Sequence, residues 1–148
     1  MTIPLRSPAE ILSRLEVASA KRLLLVECPP ELAALLHGGA AEGAEIREVA
    51  GSAIRSVKDS WDLVLVFQES RVGSRAAIDG AVKRLEPGGR IWVATAMRKV
   101  QGPRTPAAHR LEAADLEKAF EKTDLRRDRE ARISAWHVAY GFSRARGG

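Results

Sequence analysis

The sequence has one cysteine, Cys28, in 148 residues, which excludes an internal disulfide and any metal site built from several thiolates. No apolar run approaches the roughly 20 residues that a bilayer-spanning helix needs. The opening stretch, MTIPLRSPAE, has no apolar core of signal-peptide length, so a cytoplasmic protein is expected. No Gly-Lys-Ser/Thr motif for nucleoside triphosphates occurs. His37, His109 and His137 stand at no metal-ligand spacing, which argues against a zinc site. No internal repeat or linker-like stretch breaks the chain. One domain over 1–143 is expected, followed by a disordered tail over 144–148.

What is present is a folded, basic chain. Apolar residues make up 45% and charged residues 29%, with a net charge of +5. From Lys122 to Gly148 there are seven Lys/Arg against three Asp/Glu, a balance of +4. Such an excess attracts nucleic acid or another anion; its plainer reading is a solvated surface from an arginine-rich proteome.

The apolar pattern alternates between strand and helix. Ser7-Pro8-Ala9-Glu10 reads as a helix start, with Ser7 capping and Glu10 completing a capping box, and the helical spacing runs to about Ser19. A continuous apolar run over 22–28 predicts a strand buried on both faces. A helix follows over 30–37, with Gly38-Gly39 as its stop. A second strand is predicted over 44–49. The stretch WDLVLVFQ, 61–68, is the clearest buried strand. A helix over 74–85 turns through Glu86-Pro87-Gly88-Gly89 into a strand over 90–96. After a polar loop, a helix is predicted over 106–122, with Leu111, Leu116, Ala119 and Phe120 inward.

Two strands close the chain, over 125–133 and 135–143. The first alternates Arg126, Asp128, Glu130 and Arg132, which suits a sheet edge, because charges discourage pairing with another chain. The second places Trp136, Val138, Tyr140 and Phe142 on one face and the small residues Ala135, Ala139 and Gly141, with His137, on the other. The small face is expected to accept a close-packed helix. Stacking of nucleic-acid bases on Trp136, Tyr140 and Phe142 is a rival reading to core packing, which the spacing favours.

A strand with an early aspartate, a helix, then LEPGGRIWVATA resembles the class I S-adenosylmethionine-dependent methyltransferases, where an aspartate-led strand and a helix precede Leu-x-Pro-Gly-Gly-Arg. The resemblance implies a Rossmann-like α/β fold with a mainly parallel sheet, a C-terminal antiparallel pair and the penultimate strand at the edge. It also implies that Glu27 would occupy the acidic position after the first strand and bind cofactor. Two departures fall on the cofactor half. Cys28-Pro29-Pro30-Glu31 replaces the glycines of that turn, and proline adds a ring and removes a donor where glycine lets a ligand approach backbone. Only about ten residues separate the second strand from Trp61, where the family has a helix, a strand and a helix. The whole resembles small, shortened bacterial methyltransferase-like proteins.

These features nominate several side chains. Glu27 is the cofactor candidate; its rival role is a polar strand end near a helix start. Cys28 at that helix start is a small buried residue rather than a nucleophile. Gln68, Glu69 and Ser70 follow the strongest strand, at the carboxyl edge where open α/β sheets bind ligands; Ser70 also suits a turn cap. Arg98, Lys99 and Arg104 share the next loop at that edge and could hold a phosphate or carboxylate. No catalytic residue and no metal are nominated.

The leading expectation is a non-catalytic or uncharacterised methyltransferase-like binding or interaction protein with a degenerate S-adenosylmethionine loop. No cofactor is expected, and the partner is a protein or a small anionic ligand, with nucleic-acid binding weak and no membrane. The alternatives are an active S-adenosylmethionine-dependent methyltransferase with a divergent loop, and a basic nucleic-acid-associated domain. Oligomeric state stays open. A degenerate site should be filled by the first helix; an active one needs room beside Glu27.

Overall fold

The structure, a computed structural model, describes residues 3–58 and 60–144. Six strands form one sheet: β1 (Arg22–Val26), β2 (Glu45–Val49), β3 (Trp61–Phe67), β4 (Leu85–Ala96), β5 (Leu125–Arg132) and β6 (His137–Arg144). Their order is β2-β1-β3-β4-β6-β5. The first four run parallel, and β6 pairs antiparallel with both β4 and β5. The expected mainly parallel sheet with an antiparallel C-terminal pair is therefore present, with β5 at the edge.

Consecutive residues of the central strands point to opposite faces, which is why both faces must be apolar. Leu24, Val26, Val64, Val66, Ile91 and Val93 pack under α3 (Ser74–Lys83) and α4 (Ala113–Ala119), meeting Ile78, Ala81 and Leu116. Leu23, Leu25, Leu63, Leu65 and Trp92 pack under α1 (Pro8–Leu15) and α2 (Pro30–Gly39), meeting Ile11, Leu15, Leu32 and Leu36. Each fully buried aliphatic side chain stabilises the fold by roughly 1.5–3 kcal/mol. Asp62, the early aspartate of its strand, accepts the backbone N–H groups of Lys21 and Arg22 at 2.8 Å each. It ties the entry of β1 to the start of β3, on the edge of the sheet opposite the carboxyl ends.

Several boundaries differ from the sequence pattern. The first helix stops at Leu15, because Glu16 turns left-handed (φ 57°) before a separate 3₁₀ turn, Val17–Ser19. Ser7 makes no side-chain cap. The strand expected over 22–28 ends at Val26, since Glu27 has φ 55° and leaves the ladder. Gly38 and Gly39 do not stop α2: both are helical, and the chain leaves through an extended Ala40. A Cβ on Gly39 would collide with Leu12, so this glycine serves the contact of α2 with α1.

The helix predicted over 74–85 ends at Lys83, and β4 begins at Leu85. Pairing steps from Trp61–Leu85 to Leu63–Arg90, so Glu86-Pro87-Gly88-Gly89 bulges out of the strand rather than preceding it. The helix predicted over 106–122 shrinks to α4, whose start is set by a reciprocal Glu112–Asp115 capping box. Upstream, a single 3₁₀ turn, Ala107–His109, gives way to backbone bonds with 69–71: Arg71 N–H donates to the carbonyl of His109, and Leu111 N–H to that of Glu69.

At the C-terminal pair, only Leu125 and Ala131 of β5 are buried, and its charges are matched locally: Arg127 with Glu117, Arg129 with Glu16, Asp128 with Arg90. The small face of β6 receives the indole of Trp92 at Gly141, while Ala139 joins the cluster that holds Ile11 and Leu15 of α1. Trp136 precedes β6 and is half-buried, while Phe142 stacks on Phe120 with ring centroids 3.9 Å apart. Arg144, expected in the tail, is the last residue of β6; the rest of that tail, 145–148, lies outside the described residues.

Candidate functional site

A cleft of about 740 Å³ opens at the carboxyl ends of β1 and β3. Because β6 runs antiparallel, its first residue, His137, arrives at the same edge, paired with Ala96 at the end of β4. Ile3, from the N-terminal segment, closes one side of the cleft, and Ile3 N–H donates to Glu31 Oε1 at 3.2 Å. The first helix does not fill this space. It lies on one face of the sheet, against α2 and beside β5.

The turn after β1 is built for rigidity. Glu27 donates its backbone N–H to the carbonyl of Val49, and its Oε1 accepts Gly51 N–H at 2.6 Å. The carboxylate therefore ties β1 to the 3₁₀ turn Gly51–Ser56 that follows β2. Pro29 and Pro30 occupy the N-cap and first position of α2, as their fixed φ suits. Cys28 is half-buried, and burial, helped by the charges of Glu48 and Glu31, pushes its thiol up to about 12. It stays a protonated thiol at neutral pH.

The turn after β3 carries the other acid. Glu69 Oε2 lies 2.6 Å from His137 Nε2, and its Oε1 accepts Thr105 N–H at 3.2 Å. Burial pushes the Glu69 carboxyl up, but the bonds from His137 and Thr105 outweigh it and hold it below 4.5. His137 is 1% exposed at its side chain and bonds Ser134 Oγ through Nδ1 at 2.9 Å. Gln68 Nε2 donates to the carbonyls of Ser70 and Val72, and Ser70 Oγ accepts Val72 N–H, so Ser70 does cap the turn.

The three loop cations take different positions. Arg104 lines the cleft, Arg98 is exposed and paired with Glu112 at 3.2 Å, and Lys99 is exposed. Their loop is organised by a residue the sequence pattern did not single out. Arg110 is buried and donates to the carbonyls of Met97, Arg98, Val100 and Thr105. His137 and Ser134 were missed likewise. Sequence distance hides them, since 68 residues separate Glu69 from His137. The signal that could have found them is strand register, which brings the start of the last strand beside the end of β4.

Among the described residues no group of three or more His, Cys, Asp or Glu could hold a metal ion, and no helix is long and apolar enough to cross a membrane.

No family model and no curated protein matches the chain. Solved structures do. A chain from Sulfolobus solfataricus assigned to the type 11 methyltransferases matches at TM-score 0.70 and 14% identity, over 97% of this chain and 95% of that one. A SAM-dependent methyltransferase from Aquifex aeolicus matches at TM-score 0.66 and 11% identity, over 93% and 89%. PigF with SAH matches at TM-score 0.59 and 12% identity, over 93% of this chain but 61% of its own length. This chain spans 54% of LaPhzM. The likeness establishes a methyltransferase-like, Rossmann-like α/β fold.

Proposed function

We propose that this chain is a small-molecule-binding protein on a methyltransferase-like fold, with its ligand in the cleft between Glu27 and Glu69. The observation that carries the reading is the open cleft: about 740 Å³ at the carboxyl edge of the sheet, within the range of small-molecule sites. S-adenosylmethionine is the first ligand to test, since PigF and NodS, similar in fold, are solved with S-adenosylhomocysteine. The cleft fits such a molecule by room, by the apolar walls Phe67 and Trp136, and by its carboxylates. Pro29 and Pro30 supply no glycine cradle, so side chains carry the recognition. When bound, S-adenosylmethionine supplies an electrophilic methyl group.

The residues at the cleft favour binding over transfer. Glu69 is held ionised by His137 and Thr105, which weakens it as a base. One observation favours methyl transfer as a second reading: the space beside Glu27 is open and α1 packs elsewhere. Nucleic-acid affinity is read as weak and salt-sensitive, because Arg126, Arg127 and Arg129 of β5 are each engaged by a carbonyl or an acid.

Calorimetric titration with S-adenosylmethionine and S-adenosylhomocysteine tests the reading. Saturable binding without turnover supports a binding protein. Release of S-adenosylhomocysteine in the presence of an acceptor moves the assignment to a methyltransferase. Absence of heat at millimolar concentrations of both removes these nucleosides as ligands.

A further inference from the structure

We propose that Glu69 is the specificity-determining carboxylate of the cleft, that it selects ligands bearing a sulfonium or ammonium group, and that His137 and Ser134 are positioning residues behind it. The inference rests on the small-molecule reading above and names the chemistry of its ligand.

The chain of bonds begins at Ser134, which is fully buried. Its Oγ accepts the backbone N–H of Trp136 at 3.0 Å and of His137 at 2.9 Å. Both lone pairs are then used, and the hydroxyl proton is left for His137 Nδ1, 2.9 Å away. With Nδ1 accepting, the ring proton sits on Nε2 and is donated to Glu69 Oε2. The imidazole thus links the buried Ser134 hydroxyl to the Glu69 carboxylate. Thr105 N–H fixes the other oxygen, so the carboxylate is held in one orientation.

The surroundings suit a cation. Among the described residues, Glu27, Glu31 and Glu69 line the cleft with the guanidinium of Arg104 and the imidazole of His137, in a chain whose net charge is +5. All three acids spend an oxygen on a backbone N–H at the cleft wall; Glu69 alone is also held by a buried side chain, His137. Aromatic rings flank His137, the partner of Glu69. The Phe67 ring centroid lies 4.7 Å from that of His137, Trp136 lies 6.4 Å from it, and both line the cleft. A carboxylate beside aromatic faces is the chemistry that recognises onium ions.

S-adenosylmethionine and S-adenosylhomocysteine differ by one methyl group and one positive charge, which makes the pair a direct probe. The wild-type chain is expected to bind the sulfonium about tenfold more tightly than the thioether. Glu69→Gln should abolish that preference while keeping thioether binding. Ser134→Ala and His137→Gln should each reduce it; a merely structural loss would weaken both ligands equally. Equal binding of the two nucleosides by the wild type, or a preference that survives Glu69→Gln, overturns the proposal without touching the small-molecule reading. If neither nucleoside binds, that reading loses its ligand, and a second arm decides the inference with the wild-type chain alone. Trimethylsulfonium chloride, titrated against amide resonances, should shift the Thr105 N–H saturably, and neutral tert-butanol should not. Equal or absent shifts from both probes overturn the proposal.

Discussion

Glu27 joins two neighbouring strands through Gly51: its Oε1 accepts the Gly51 N–H at 2.6 Å while its own backbone sits at φ 55°. The acid that the sequence nominated for a cofactor is thus also a clamp between the end of β1 and the turn after β2. Two effects compete at this residue. Losing the charged acceptor costs about 1 kcal/mol, and a non-glycine residue in the left-handed region costs a similar amount. Glu27→Ala should therefore destabilise by about 1 kcal/mol, and Glu27→Gly should cost less, because glycine relieves the backbone. Urea midpoints of the two variants check this; a glycine variant less stable than the alanine one would show that φ carries no strain here.

Val64 sits at the centre of the sheet, between β1 and β4, and is fully buried. Its neighbours on that face are Val66, Ile91 and Phe142, none of which can pair with a charge. Val64→Asp should cost on the order of 3–5 kcal/mol or abolish folding. A soluble variant with an unchanged cooperative thermal transition would contradict the placement.

The parts of the fold that were legible share one property: both of their faces are buried. Leu23 to Val26 and Leu63 to Val66 read as unbroken apolar runs because helices cover the sheet on each side. The edge position of β5 was legible from its alternating charges for the same reason in reverse. Segment ends were less legible, because they depend on distant partners. The long C-terminal helix was expected from spacing, but Arg110 gathers four loop carbonyls and the backbone at Leu111 bonds Glu69. At the site, Glu69 was nominated from its place after the strongest strand. Its partners His137 and Ser134 follow only from register across three strands, which no local pattern contains.

Cys28 stands at a helix start, a setting that often lowers a thiol. Here burial, with the carboxylates of Glu48 and Glu31, pushes it up to about 12 instead. The thiolate fraction near pH 8 is then about three orders of magnitude below that of an ordinary cysteine. Alkylation by iodoacetamide should be slow by a comparable factor in the folded chain and reach the normal rate in denaturant. Fast labelling of the native protein would remove the burial argument and reopen Cys28 as a reactive group.

Acid should weaken the fold through a small set of carboxylates. The N–H of Glu112 holds the Asp115 carboxyl below 3.8, helped against burial by Arg71. Burial raises Asp128, but bonds from Arg90 and Ser143 bring it below 3.8, and Glu69 is likewise below 4.5. Groups whose folded values are depressed stabilise the native state above their unfolded values, and that contribution is lost as pH falls through the folded ones. For these three residues the loss begins near the ordinary carboxylate range and deepens below it, with no change from them between about pH 5 and 8. Urea midpoints should accordingly hold level across neutral pH, as far as these acids contribute, and fall on acidification. Asp115→Asn keeps an oxygen for the Glu112 N–H but cannot titrate, so its midpoint should fall less steeply in acid than that of the wild type. An identical acid slope in the two proteins would show that Asp115 is not held ionised by its cap.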